Sequence, residues 1–96
     1  MSAPVLIKGS NGITLVSIES KHMSDRRLFI TGEINADSAL DFMKQVMYLN
    51  AEDEKAPISV FINSPGGEID NGLLIYDVIV SSKAPIRMFC TGCAYS

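Results

Sequence analysis

Histidine and cysteine, which supply most metal, redox and base chemistry, are nearly missing from this sequence. It holds one histidine, His22, and two cysteines, Cys90 and Cys93. A zinc site built on the cysteine pair needs two further ligands, and His22 is the single candidate of that kind. Two thiols so close in the chain cannot staple distant elements, so a disulfide scaffold is not indicated. A basic cluster is also lacking beyond Arg26 and Arg27, and eight basic against eleven acidic residues leave a net charge of -3. The electrostatic footprint of a nucleic-acid binder is therefore absent. The longest apolar stretch, around Leu73 to Val80, is interrupted by Tyr76 and Asp77 and falls short of the ~20 residues that span a bilayer. The opening "MSAPVLIKGSNG" has neither the basic start nor the long apolar run of a secretory leader. The expectation is a soluble cytoplasmic protein with no nucleic-acid and no membrane partner.

Apolar residues, by contrast, are abundant: 47% of the 96 residues are hydrophobic and 20% charged. A chain this short makes one domain, residues 1–96, and buries only roughly 60–65% of the surface its unfolded form exposes. The surplus apolar surface is expected to face a partner. "PVLIKGSNGITLVSI" reads as two short strands around a turn, Leu28 to Thr31 as another strand ended by Gly32, and "SKHMSDRR" as a polar stretch between strands. From Ala36 the period becomes helical, with Ala36, Ala39, Leu40, Met43, Val46 and Met47 on one side, Phe42 and Leu49 on a second, and Asn35 placed as the cap. "PISVFINS" is a strand apolar at nearly consecutive positions, hence covered on both faces. It runs through "SPGG" into a helix from about Glu68, with Ile69, Leu73, Tyr76 and Val80 on one face and Ile75 and Ile79 on another. "PIRMFC" is again a strand. Strand, helix, strand, helix, strand implies right-handed crossovers and a mainly parallel sheet. The faces carrying Phe42 with Leu49 and Ile75 with Ile79 are expected to drive association.

Three features can carry chemistry. The loop "NSPGG" lies between a buried strand and a helix, where Gly66 and Gly67 let a ligand oxygen approach the main chain. It is either a plain turn or an oxyanion hole, and it fits neither the dinucleotide nor the Walker phosphate pattern. Ser96 follows a strand and the small-residue stretch "GCAY", as a nucleophile at a strand-to-helix junction would, although an ordinary serine fits the same pattern. Such a nucleophile needs a base and an orienting acid, and His22 lies in a polar stretch that suits a solvated surface. Cys90 and Cys93 match a redox dithiol but lack the following helix that would lower a thiol pKa, so a half-buried pair at a strand end is the alternative.

Together "RRLFITGEI", "FINSPGGEIDNGLLIYDVI" and "FCTGCAYS" resemble three segments, in order, of the proteolytic subunit of the ATP-dependent Clp protease family. The resemblance runs from about Arg26 to Ser96 and covers the N-terminal half of a typical member. It implies an α/β fold of the crotonase-like Clp protease type, built from repeated β-β-α units with a mainly parallel sheet and here truncated at the nucleophile. It implies a serine endopeptidase subunit that degrades unfolded proteins, with Ser96 as nucleophile, the Gly67 amide as one oxyanion donor and Gly66 shaping the loop. The implied assembly is a homo-oligomer or paralogue ring of seven, stacked as a tetradecamer. Its implied partners are an unfoldase ATPase and polypeptide substrates. No cofactor is implied in this chain, since ATP is used by the partner ATPase. The family's histidine and aspartate, and the second oxyanion donor, lie beyond Ser96, so the 96-residue chain alone is expected to be inactive. Cys93 and Tyr95 stand where Gln and Ala are common, which suggests a divergent paralogue. The alternatives are a non-catalytic structural or regulatory subunit of a Clp-type ring, and an acyl-CoA enzyme of the crotonase type, which has no need of a serine at that point.

Overall fold

A computed structural model describes residues 4–10 and 12–91. The alternating start of the chain closes into an antiparallel hairpin of β1 (Pro4–Gly9) and β2 (Gly12–Ser17), with Val5 opposite Val16. Gly12 takes a φ of 109°, which a side chain would resist, and this sets the turn. The polar stretch that follows is a short helix, α1 (Ile18–Ser24), where the sequence pattern predicts none. Ser17 caps it by accepting the Ser20 amide at 3.0 Å. With so few residues and none of them buried, α1 had no periodic apolar signal to read.

The main body alternates as β3 (Arg27–Thr31), α2 (Ala36–Glu52), β4 (Ile58–Asn63), α3 (Ile69–Ser81) and β5 (Ile86–Cys90). The three strands form one parallel sheet with β4 in the centre, as the predicted crossovers require. Asn35 caps α2 as expected: its side chain accepts the Ser38 amide at 3.0 Å while the Ser38 hydroxyl accepts the Asn35 amide at 3.0 Å. This reciprocal pair satisfies two donors that a bare helix end would leave open. Leu28, Ile30, Ile58 and Val60 point from the sheet into the core, where Ala39, Phe42, Val46 and Leu49 of α2 and Ile75 of α3 meet them. On the other sheet face Phe29, Phe61 and Phe89 stand in register, their rings stacked at 5.3 and 5.0 Å. Central β4 is thus apolar on both sides, as its run of hydrophobic residues demands.

The helix faces correct the sequence-based expectation. Phe42 and Leu49, predicted to face a partner, are 3% and 0% exposed and belong to the core, with Ile75 buried and Ile79 packed against it. The outward apolar residues are Leu40, Met47 and Tyr48 on α2 and Ile69, Leu73, Tyr76 and Val80 on α3. Both helices are apolar on two sides, so periodicity could show two faces without showing which one the sheet covers. Among the described residues no helix is long and apolar enough to cross a membrane.

The two α2 positions should separate cleanly in a denaturation experiment. Leu49→Ala opens a cavity beneath the sheet and should lower stability by about 2–5 kcal/mol. Met47→Ala, at an exposed site, should stay within about 0.5 kcal/mol in the unassembled chain. Urea midpoints of both variants measure this, and equal losses would contradict the assignment of faces.

Candidate active site

β4 ends at Asn63, and Ser64 to Glu68 carry the chain from the carboxyl edge of the sheet to the start of α3. In open parallel sheets this edge is where ligands bind, because the loops there leave the strands together. The ladder continues past the strands: the Gly32 amide donates to the Asn63 carbonyl at 3.2 Å, and the Thr91 amide to the Ile62 carbonyl at 2.8 Å. The ends of β3, β4 and β5 therefore share one edge.

Beyond that edge the two βα loops pair again, through a parallel bridge between Ile34 and Gly67. The Ile34 amide donates to the Gly66 carbonyl at 2.9 Å, and the Glu68 amide donates to the Ile34 carbonyl at 3.0 Å. The backbones run so close that a Cβ on Gly67 would lie 2.2 Å from the Ile34 carbonyl oxygen. Glycine is required there by contact. Gly66 is required by conformation, since its φ is 107°.

These bonds aim one amide outward. The described peptide bonds are all trans, and in a trans peptide the carbonyl oxygen and the following N–H point opposite ways. With the Gly66 carbonyl held toward Ile34, the Gly67 N–H points away from it. Among the described residues that N–H meets no acceptor, and Gly67 is exposed while Gly66 is buried. An exposed, fixed amide with no acceptor among the described residues, beside the N-terminus of a 13-residue helix, is suited to hold a developing negative charge.

Of the predicted site residues, the structure brings Gly66 and Gly67 together in this loop, while Ser96 and Cys93 lie outside the described residues. Cys90 is exposed at the end of β5. His22 is elsewhere. Its Nδ1 accepts a hydrogen bond from Arg27 Nε at 2.9 Å, and its ring meets the Phe29 ring edge-on at 5.0 Å. Arg27 opens β3 and the glycine loop stands beyond its other end, a strand length of about 13 Å away. His22 is half-buried, not solvated as its polar stretch suggests, and it stands at the wrong end of the sheet to serve this loop. Sequence reasoning missed Ser64, which is 1% exposed and hydrogen-bonds on both sides of the loop. A serine in a turn carries no pattern that marks it as buried.

A family model described as Clp protease matches residues 10–96. The chain belongs to the Clp protease family. It is 38% identical over 95 residues to "ATP-dependent Clp protease proteolytic subunit 3" of Synechococcus sp. (strain CC9605) and of Parasynechococcus marenigrum (strain WH8102). It is 37% identical over 95 residues to "ATP-dependent Clp protease proteolytic subunit 2" of Prochlorococcus marinus (strain NATL2A). Each match covers 99% of this chain and 48% of the relative, so the chain spans about half the length of these Clp subunits. The α/β architecture with its parallel sheet agrees with the Clp protease fold.

Two glycines give opposite expectations. Gly67→Ala drives a methyl into the Ile34 backbone and should destabilise by about 1–3 kcal/mol. Gly72, inside α3, has nothing within 4 Å of a built Cβ, so Gly72→Ala should stabilise by about 0.5–1 kcal/mol. Denaturant midpoints read both signs; a neutral Gly67→Ala would refute the close approach.

Proposed function

We propose that this chain is the N-terminal half of an ATP-dependent serine endopeptidase subunit of the Clp type. The observation that carries the reading is the Gly67 amide, exposed, without an acceptor among the described residues and held by ladder bonds on either side. In the proposed reaction Ser96 Oγ attacks the peptide carbonyl carbon while a histidine from the segment that follows takes its proton. The carbonyl oxygen becomes an oxyanion, and the Gly67 N–H donates to it. Collapse breaks the C–N bond, the base passes the proton to the leaving amine, and water then hydrolyses the acyl-serine by the same steps in reverse roles. The proposal extends to an oligomeric ring with an unfoldase ATPase as the user of ATP, polypeptides as substrates and a cytoplasmic site of action.

The test joins this chain to the downstream half of a relative and measures labelling by a fluorophosphonate probe and hydrolysis of a short peptide. Ser96 should be labelled in the assembled form and Ser96→Ala should abolish labelling. Replacing the Gly66–Gly67 amide with a backbone ester removes the N–H without adding a side chain against Ile34. It should lower kcat by ~10²–10³, the loss expected for one oxyanion donor. Labelling that survives Ser96→Ala, or an assembled protein that never reacts, would overturn the endopeptidase reading in favour of a non-catalytic ring subunit.

A further inference from the structure

Ser64 is the one fully buried polar side chain among the described residues. A hydroxyl has one proton to give and lone pairs to accept with. Here the proton goes to the Gly32 carbonyl, the nearer of two acceptors, and a lone pair receives the Gly66 amide at 3.0 Å. The Gly66 carbonyl, 3.3 Å from the same hydroxyl, is already taken by the Ile34 amide. Ser64 thus ties the end of β3 to the peptide plane that precedes Gly66, while Ile34 ties the plane that follows it.

Two adjacent glycines need such ties. Neither has a Cβ to forbid a peptide flip, and a flip of the Gly66–Gly67 plane would turn the Gly67 N–H inward toward Ile34. The two Ile34 bonds oppose that rotation, holding the Gly66 carbonyl and the Glu68 amide. The Ser64 bond holds the plane before Gly66 and with it the 107° φ of Gly66, the remaining torsion that decides where the Gly67 N–H points.

We infer that Ser64 is a positioning residue of the peptidase site, its buried hydroxyl clamping Gly66 so that the Gly67 amide stays aimed at the oxyanion. This rests on the reading of Gly67 as an oxyanion donor. Ser64 touches no substrate atom and acts through the backbone.

The experiment has two arms. In the form completed with a relative's downstream half, Ser64→Ala should lower kcat for peptide hydrolysis by ~10- to 100-fold, the range expected when a catalytic group shifts by up to about 1 Å. KM should stay within about twofold, because the ground-state carbonyl makes little use of the oxyanion donor. Loss of a merely structural group would instead reduce assembly without this split, and an assembled Ser64→Ala variant with unchanged kcat overturns the inference. The second arm needs no variant and no activity. Amide hydrogen exchange of the 96-residue chain should show Gly66 protected and Gly67 exchanging freely, and a Gly66 amide that exchanges as fast as that of Gly67 overturns the clamp even where Ser64→Ala fails to fold. If the unvaried completed protein is inactive, the endopeptidase reading falls, while the exchange measurement still decides whether Ser64 holds the loop.

Discussion

The contact on which most of this structure turns is the backbone approach of Ile34 to Gly67. It leaves no room for a side chain, and it does more than shape one loop. Asn35, the residue after Ile34, caps α2, and Glu68, the residue after Gly67, is the N-cap position of α3. One bridge therefore fixes where both helices begin and brings their positive ends to the same edge of the sheet. From that common origin α2 and α3 run back over one sheet face side by side, and Phe42, Val46 and Leu49 can fill the space above Ile58 and Val60.

The opposite end is held differently, by side chains that reach into backbone. Arg26, in the left-handed region with a φ of 62°, sends its guanidinium to the carbonyls of Leu49 at 3.1 Å, Asp53 at 2.8 Å, Ala56 at 2.9 Å and Pro57 at 3.2 Å. The last turn of α2 has no basic residue of its own, so Arg26 supplies the missing cation there, giving a second donor to the Leu49 carbonyl, which already accepts the Asp53 amide, and one to the carbonyl of the C-cap residue Asp53. Asp53 continues the turn by accepting the Lys55 and Ala56 amides, and those bonds hold its carboxyl below the usual carboxylate range. Asn50 does the same for α3, accepting the amides of Lys83 and Ala84 at 2.8 and 2.9 Å and donating to the Val46 carbonyl and the Ser82 hydroxyl. The sheet is pinned at one edge by backbone pairing together with the Ser64 hydroxyl and at the other by three polar side chains.

These two kinds of restraint explain what the sequence made legible. Local signals were readable: Asn35 with Ser38 three residues on, Gly32 ending β3, and the helical recurrence of apolar residues after Ala36. Non-local ones were not. Arg26 reads as half of a basic pair, yet its acceptors lie 23 to 31 residues away. Ser64 reads as a turn residue, and its burial depends on Gly32 arriving from another strand. The core side of α2 is not legible in the sequence because Leu40 and Met47 are as apolar as Phe42 and Leu49, and only the position of the sheet distinguishes them. Gly66 and Gly67 were found through their motif, whereas the reason for each glycine, a φ in one case and a contact in the other, required the fold.

The division of labour along the chain also bears on catalysis. The bonds that aim the Gly67 amide run between the loop after β3 and the loop after β4 or, from the Gly66 amide to Ser64, within the latter, so the described residues set its direction. On the proposed reading, the electrostatic part of the site is built independently of the base that activates the nucleophile. A donor fixed by backbone pairing needs no reorganisation when charge develops, which is the condition under which a single N–H is worth most. On the same reading the base must instead move a proton during each cycle, a task that fixed backbone pairing does not serve. Placing the rigid component between two strand ends, where Gly67 cannot accept a side chain, makes its geometry a consequence of the fold.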